Sequence, residues 1–392
     1  MSALHARRRT VRRLFGISML VCLAAGCAPP SGSSLAEPRP GIAVAVAHHD
    51  TELPPALSDS ERAGLRALVS SRDDVTVTVL AAGDPTVERV DLEPRRPNGQ
   101  IEHGPRRDAL LDQRLAALDA AIDRAAARSS STDLLGVLGS AVRLGSTEIH
   151  VLSAGLSGTD PFDMRVSGWD VDPQRLVAGL RAEHALPDAT GRTVVLSGLG
   201  RTTGRQPPLD ESAQQSLRAQ WTAVCAATGA RCTVDDGPRP VRSGVPAPIA
   251  GPVVPVPQAT TVRGPAGGVE VSLPSSVLFV AGSCVLRDQV AAGALLRIVV
   301  GRLQLGASVA ISGRTAPVGP GDGVSLATCR AQAVADLLYG QGVPRTAVTR
   351  VAGDGSLADP PSASHDAAGQ PDPTTWPALR RVVLTLTSPT HL

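Results

Sequence analysis

Between Gly237 and Gly268 the chain runs G-P-R-P-V-R-S-G-V-P-A-P-I-A-G-P-V-V-P-V-P before its composition returns to the ordinary. Prolines at that density remove backbone donors and hold the chain extended, so neither a helix nor an interior strand can pass through. The stretch reads as a stiff linker that marks a domain boundary. Each side of it must then be explained as a body with its own core. Without the first 27 residues about 365 remain, which is enough for two such bodies.

On the N-terminal side, from Gly41 to Asp236, strand-like and helix-like segments alternate. Ile42 to Ala47 is a continuous apolar run, Ser58-x-x-Glu61 is a capping box opening a helix through Leu65, Leu68 and Val69, and Val75 to Leu80 is rich in valine and threonine. A long helix follows, with Leu110, Leu111, Leu115, Leu118 and Ile122 on one face and Arg107, Asp112, Asp119 and Asp123 on the other. Further helices are predicted at Thr132 to Arg143, Pro173 to His184 and Glu211 to Thr228, and strands at Glu148 to Ser153, Thr193 to Ser197 and Arg231 to Val234. Such alternation calls for an α/β domain with a mostly parallel sheet and helices on both faces.

On the C-terminal side, Ser308 to Ser312 alternates apolar and polar residues as a half-buried strand does, and Gly313 then permits a tight exit. A glycine-rich loop leads into a helix from Leu326 to Tyr339, with Leu326, Val334, Leu337 and Leu338 at helical spacing. Strands are predicted at Val269 to Val280, Thr349 to Gly353 and Arg381 to Thr387, and a helix at Asp288 to Leu303. Asp354 to Pro377 is a polar, proline-bearing insertion that reads as mobile.

The chain begins with a targeting segment. Arg7, Arg8, Arg9, Arg12 and Arg13 form a basic region, Leu14 to Ala25 is a short apolar run, and Leu23-Ala24-Ala25-Gly26-Cys27 resembles a lipobox. That resemblance implies a signal peptide over residues 1–27 with Cys27 lipidated, which would hold the protein at a membrane surface. Residues 28–40 are small, polar and proline-rich, and read as a tether.

The loop and helix on the C-terminal side resemble the signature of the OmpA-like C-terminal domain, G-H-T-D followed by L-S-x-x-R-A-x-x-V. Here the residues are Gly313-Arg314-Thr315-Ala316 and Leu326-Ala327-Thr328-Cys329-Arg330-Ala331-Gln332-Ala333-Val334. Leu273 to Leu286 resembles the family's first strand and turn, and Leu379-Arg380-Arg381-Val382 its closing N-R-R-V strand. The resemblance implies an α+β domain over 269–388 that binds the peptide stem of peptidoglycan without covalent chemistry. In the family an aspartate and an arginine hold the charged ends of diaminopimelate. Arg330 falls on the arginine, whereas Ala316 falls where the aspartate belongs and Arg314 replaces the usual histidine. A ligand carrying both an ammonium and a carboxylate needs counter-charges of both signs, so half of that clamp is missing. Asp322 in the P-G-D-G turn is a candidate substitute, although a turn aspartate commonly serves its own backbone.

Within 41–236, Ser131 to Val142 and Glu148 to Leu156 resemble the middle of a von Willebrand factor A-like domain. Metal-binding members carry D-x-S-x-S after the first strand and S-D-G after the fourth. This chain has His48-His49-Asp50-Thr51-Glu52 and Ser153-Ala154-Gly155 there, and Thr132 alone cannot hold magnesium, so a metal-free relative is expected. His48, His49, Asp50 and Glu52 would sit at the edge where parallel sheets take ligands, yet they read more simply as a solvated loop.

Composition narrows the rest. Net charge is +2 with much of the excess in the first 13 residues, which argues against nucleic acid; aromatics are only 2%, so stacking platforms are scarce. Of six cysteines, Cys22 leaves with the signal and Cys27 takes lipid. Export to an oxidising compartment then predicts Cys225–Cys232 and Cys284–Cys329 disulfides, each within one proposed domain. No nucleophile elbow, cofactor motif or paired metal spacing appears. The expectation is a non-enzymatic, exported, lipid-anchored envelope protein that contacts peptidoglycan with one domain and an unidentified macromolecule with the other.

Overall fold

The computed structural model describes residues 41–387 apart from 73, 243, 257, 264–267, 318–322 and 357–358. The signal peptide, the tether, Cys27 and Asp322 lie outside the described residues.

The N-terminal half runs β1 (Gly41–Val46), α1 (Asp59–Ser71), β2 (Thr76–Ala81), β3 (Asp84–Asp91), α2 (Arg107–Arg128), α3 (Leu134–Arg143), β4 (Ser146–Leu152), β5 (Gly158–Thr159), β6 (Phe162–Asp163), α4 (Met164–Ser167), α5 (Pro173–Ala182), β7 (Thr193–Ser197), α6 (Glu211–Ala227) and β8 (Arg231–Asp235). Its main sheet has the order β3-β2-β1-β4-β7-β8. Neighbours pair in parallel except β3, which pairs antiparallel to β2 at the edge. Alternation along the central strand β1 feeds two cores at once. Ile42, Val44 and Val46 face Leu65 and Val69 of α1 and the Leu111–Leu115–Leu118–Ile122 stripe of α2. Ala43, Ala45 and Ala47 face α3, α5 and α6. The Ser58 capping box forms as its spacing predicts, with Ser58 Oγ accepting from Glu61 N and Glu61 accepting from Ser58 N.

The C-terminal half runs β9 (Thr260–Arg263), β10 (Val269–Pro274), α7 (Ser275–Leu278), α8 (Gln289–Gln304), β11 (Ser308–Arg314), α9 (Val324–Gly340), β12 (Val348–Gly355), α10 (Trp376–Leu379) and β13 (Arg381–Thr387). The sheet order is β12-β11-β13-β10-β9, with β11 and β12 parallel and the other neighbours antiparallel. The long strand expected over Val269 to Val280 stops at Pro274, and Ser275–Leu278 forms one helical turn. Phe279 then bridges to Leu286. Gly313 is not a strand exit. β11 continues to Arg314, and a Cβ at Gly313 would lie 2.0 Å from Ala327 O, so glycine lets α9 lie directly on the sheet. The insertion expected to be mobile holds short 3-10 turns at Pro361–Ala363 and Pro373–Thr375 and the helix α10.

The proline-rich stretch is bound along the N-terminal half instead of spanning open space. Pro238 O accepts from Asp59 N at 3.0 Å, Ile249 O from Asp50 N at 3.1 Å, Pro252 O from Thr51 Oγ1 at 3.2 Å and Pro255 O from Trp169 Nε1 at 2.7 Å. Val254 is buried among the apolar side chains around α5 and α6. An extended proline-rich chain leaves its carbonyls unpaired along its length, so donors on a neighbouring surface capture it as a strap. The strap then enters the C-terminal sheet as β9.

Candidate functional site

Arg330 lies on α9, and the sequence around it builds a tight enclosure. The disulfide Cys284–Cys329 ties the loop before α8 to the helix turn carrying Arg330. That loop presents Ser283 O, which accepts from Arg330 Nε at 2.9 Å, while the guanidinium carbon stands 5.4 Å from the centre of the Phe279 ring. Arg330 is only 2% exposed.

Its charge is answered by Asp170, which belongs to the N-terminal half and precedes α5. Arg330 Nη1 lies 3.4 Å from Asp170 Oδ2, and Arg380 Nη1 donates to Asp170 Oδ1 at 3.1 Å. Each carboxylate oxygen thus meets its own guanidinium. Burial pulls the Arg330 guanidinium below its ordinary pKa, with the Asp170 charge opposing that shift. Beside the pair lies a cavity of about 340 Å³ lined by Thr315, Ala316, Gly323, Arg330 and Arg380 from one half and Asp172, Arg175 and Glu183 from the other. The remaining candidates divide. Thr315 is buried against this cavity, with its N–H on Gly355 O at 3.0 Å. Arg314 turns away and donates to Asp359 at 2.7 Å, where Arg381 also donates at 2.5 Å. Ala316 lines the wall and supplies no charge. Asp170 was not visible as a partner in the sequence, because it lies 160 residues from Arg330. Its local setting, next to the capping Asp172 of α5, carries no signal of a long-range ion pair.

The second cluster stands at the C-terminal edge of the N-terminal sheet, and it corrects the solvated-loop expectation. His48, His49 and Glu52 are buried, with His49 fully so, because Gly251 of the strap lies directly on His49 and Thr51. Glu52 Oε2 accepts from Ser153 Oγ at 3.0 Å and from Ala154 N. Its Oε1, both ring nitrogens of His48 and Nε2 of His49 have no hydrogen-bond partner. Burial raises Glu52 to about 8, although its hydrogen bonds oppose the rise, and burial together with the neighbouring His48 lowers His49 to about 4. Burial thus shifts Glu52, His48 and His49 all towards their neutral forms. Asp50 alone reaches the surface, paired with Arg205 at 3.1 Å. Thr132 is bonded to Thr159 Oγ1 at 2.8 Å and accepts from Gly158 N at 3.0 Å. Among the described residues no group of three or more His, Cys, Asp or Glu is placed to hold a metal ion. Cys225 and Cys232 are bonded, joining α6 to β8.

No family model matches this chain, and no curated protein does. Similar solved structures include the periplasmic domain of Helicobacter pylori MotB, 19% identical, covering 34% of this chain and 83% of that one with a TM-score of 0.28. A putative MotB-like protein from Desulfovibrio vulgaris is 21% identical, covering 34% and 80% with a TM-score of 0.26. The peptidoglycan-associated lipoprotein from Burkholderia pseudomallei is 25% identical, covering 30% and 89% with a TM-score of 0.23.

Proposed function

We propose that this chain is a non-catalytic envelope protein, exported and lipid-anchored through Cys27, whose OmpA-like C-terminal half carries a seat for a carboxylate of the peptidoglycan stem at Arg330. One observation carries the reading: two guanidiniums, Arg330 and Arg380, converge on the two oxygens of a single carboxylate beside a cavity. Opposed N–H donors on both oxygens are the chemistry of carboxylate recognition. The N-terminal half is read as a metal-free von Willebrand factor A-like domain that binds another macromolecule. Its sheet order, with one antiparallel edge strand, and the replacement of acidic metal ligands by buried His48 and His49 support that reading. A hydrolase built on His49 and Asp50 is disfavoured, since His49 is fully covered and Asp50 is engaged by Arg205.

A second reading, a scaffold that no longer binds wall, is favoured by Ala316 and by the fact that the seated carboxylate is the chain's own. Sedimentation of the full chain with purified diaminopimelate-type peptidoglycan separates the two. Binding that Arg330→Ala abolishes is the expected result. Absence of binding by both the wild type and Asp170→Asn would leave the scaffold.

A further inference from the structure

Arg330 cannot take an external carboxylate while Asp170 holds it. We propose that Asp170 is an internal ligand, so that closure of the N-terminal half onto the C-terminal half and engagement of the peptidoglycan stem are mutually exclusive states of one site. This rests on the wall-binding reading and adds its regulation.

The geometry of the seat supplies the first reason. Asp170 offers Oδ2 to Arg330 and Oδ1 to Arg380, which is how a free carboxylate of a peptide stem would present itself to the same two guanidiniums. Both guanidiniums belong to the C-terminal half, and the anion belongs to the other. Parting the halves would leave the seat vacant, its positive charge whole and its cavity accessible to a ligand.

The second reason is the kind of contact that joins the halves. The apolar cores do not mix: those around β1 draw on residues before β9, and that around β11 on residues after it. What crosses between them is the packing of Pro377 against Gly168 and a set of hydrogen bonds. Gly282 N donates to Asp170 O at 3.2 Å, Arg380 Nη1 to Ser167 O at 2.5 Å, Arg287 Nη2 to Ser216 Oγ at 2.8 Å and Ser212 Oγ to Ser276 O at 2.5 Å. Water can replace each of these, and polar interfaces between domains permit relative motion. Asp170 also moves with its own half, because Trp169 beside it is buried there and bonded to Pro255 O. Removal of the internal ligand and opening of the interface are then one event.

The consequence is a reduced apparent affinity in the closed form. If closed outweighs open by about a hundred to one, wall binding is weakened about a hundredfold relative to the open form. Whatever engages the N-terminal half so as to draw it away would raise wall binding by the same factor.

The test is sedimentation of the full chain with insoluble diaminopimelate-type peptidoglycan, comparing wild type, Asp170→Asn and Ser212→Arg, each with and without Arg330→Ala. Ser212→Arg crowds the interface while leaving Asp170 and Arg330 chemically intact, so it opens the site by another route. We expect Asp170→Asn and Ser212→Arg to bind at least about tenfold more tightly than wild type, and Arg330→Ala to remove that gain in both. Circular dichroism of each variant checks that it stays folded. Equal, Arg330-dependent binding by wild type and both variants would overturn the internal ligand while leaving the wall-binding reading in place. A gain indifferent to Arg330→Ala would overturn it as well. No binding by any of the three would overturn the wall-binding reading itself.

Discussion

Both places where this molecule would be expected to hold a ligand are filled by its own residues, and they are filled in opposite ways. At the C-terminal seat a carboxylate meets two guanidiniums, so each buried charge faces an opposite one. At the edge of the N-terminal sheet a proline-rich strap covers Glu52, His48 and His49, leaving four polar atoms without hydrogen-bond partners, with Glu52 Oε1 3.7 Å from His49 Nε2 and 3.9 Å from His48 Nδ1. Ionised groups survive burial only when a counter-charge is present; otherwise the charge is given up. Glu52 accordingly rises to about 8 and His49 falls to about 4. His150 shows the counter-charged case again, inside the N-terminal half. Burial pulls it down, but bonds to Glu148 at 3.0 Å and Glu61 at 2.8 Å prevail and raise it to about 9. A site of opposed charges can exchange one ion for another, whereas a strapped site whose groups are shifted towards neutrality has no ion to exchange.

The sharpest way to break that contrast is to delete one member from each site. Arg330→Ala leaves Asp170 buried with Arg380 alone and strands Ser283 O. We expect a loss of about 3 kcal/mol, read as a lowered urea midpoint. Glu52→Gln at pH 7 removes no charge that the folded protein was mainly carrying and spares the chain the proton uptake that folding imposes on Glu52, so it should not lower the midpoint. Equal losses at the two sites would remove the distinction.

What the sequence made legible follows the range of the interactions. The Ser58–Glu61 capping box, the α2 stripe and both cysteine pairs depend on local pattern or on a count, and they stand in the structure. β3 was missed because its Asp84-Pro85-Thr86-Val87-Glu88-Arg89-Val90-Asp91 run is a mostly exposed edge strand with a proline near its start, which lacks the apolar run of an interior strand. Gly313 was legible as a constraint but not as the right one. A glycine needed for a turn and one needed for a helix to lie close look alike until the helix is placed. The least legible feature matters most to function. Nothing in the residues around Arg330 says that its partner arrives from the other half of the chain, or that the proline-rich stretch would lie down on His49 instead of spanning solvent.

The strap's part in drying the N-terminal cluster can be tested by forcing it up. A Cβ at Gly251 would stand 2.1 Å from His49 Nδ1 and 2.4 Å from Thr51 Oγ1, and neither neighbour has room to retreat in so buried a setting. Gly251→Ala should cost about 1–3 kcal/mol as the strap shifts. Water entering beneath it should lift His49 from about 4 towards its ordinary 6.5, visible in an NMR titration of the ring. If His49 keeps its depressed value and the urea midpoint is unchanged, something other than the strap excludes water.

The most gradual effect is the pH response that the starved cluster imposes. Glu52 is raised from 4.5 to about 8, so its contribution is fully present below pH 4.5 and is lost as pH rises towards 8. His49 is lowered from 6.5 to about 4, so its contribution is present above pH 6.5 and lost as pH falls towards 4. The two slopes oppose each other between about 4.5 and 6.5, and above 6.5 only Glu52 of this pair still changes. His150, raised to about 9, falls away over the same upper range, so the wild-type slope alone is ambiguous. Comparison with Glu52→Gln removes the ambiguity, because the variant keeps the His150 response and loses that of Glu52. Its urea midpoint should gain on the wild type between pH 6.5 and 8, by no more than about 1.4 kcal/mol per pH unit. Parallel wild-type and variant curves would mean that Glu52 finds a counter-charge or water after all, and that the two filled sites differ less than their partners suggest.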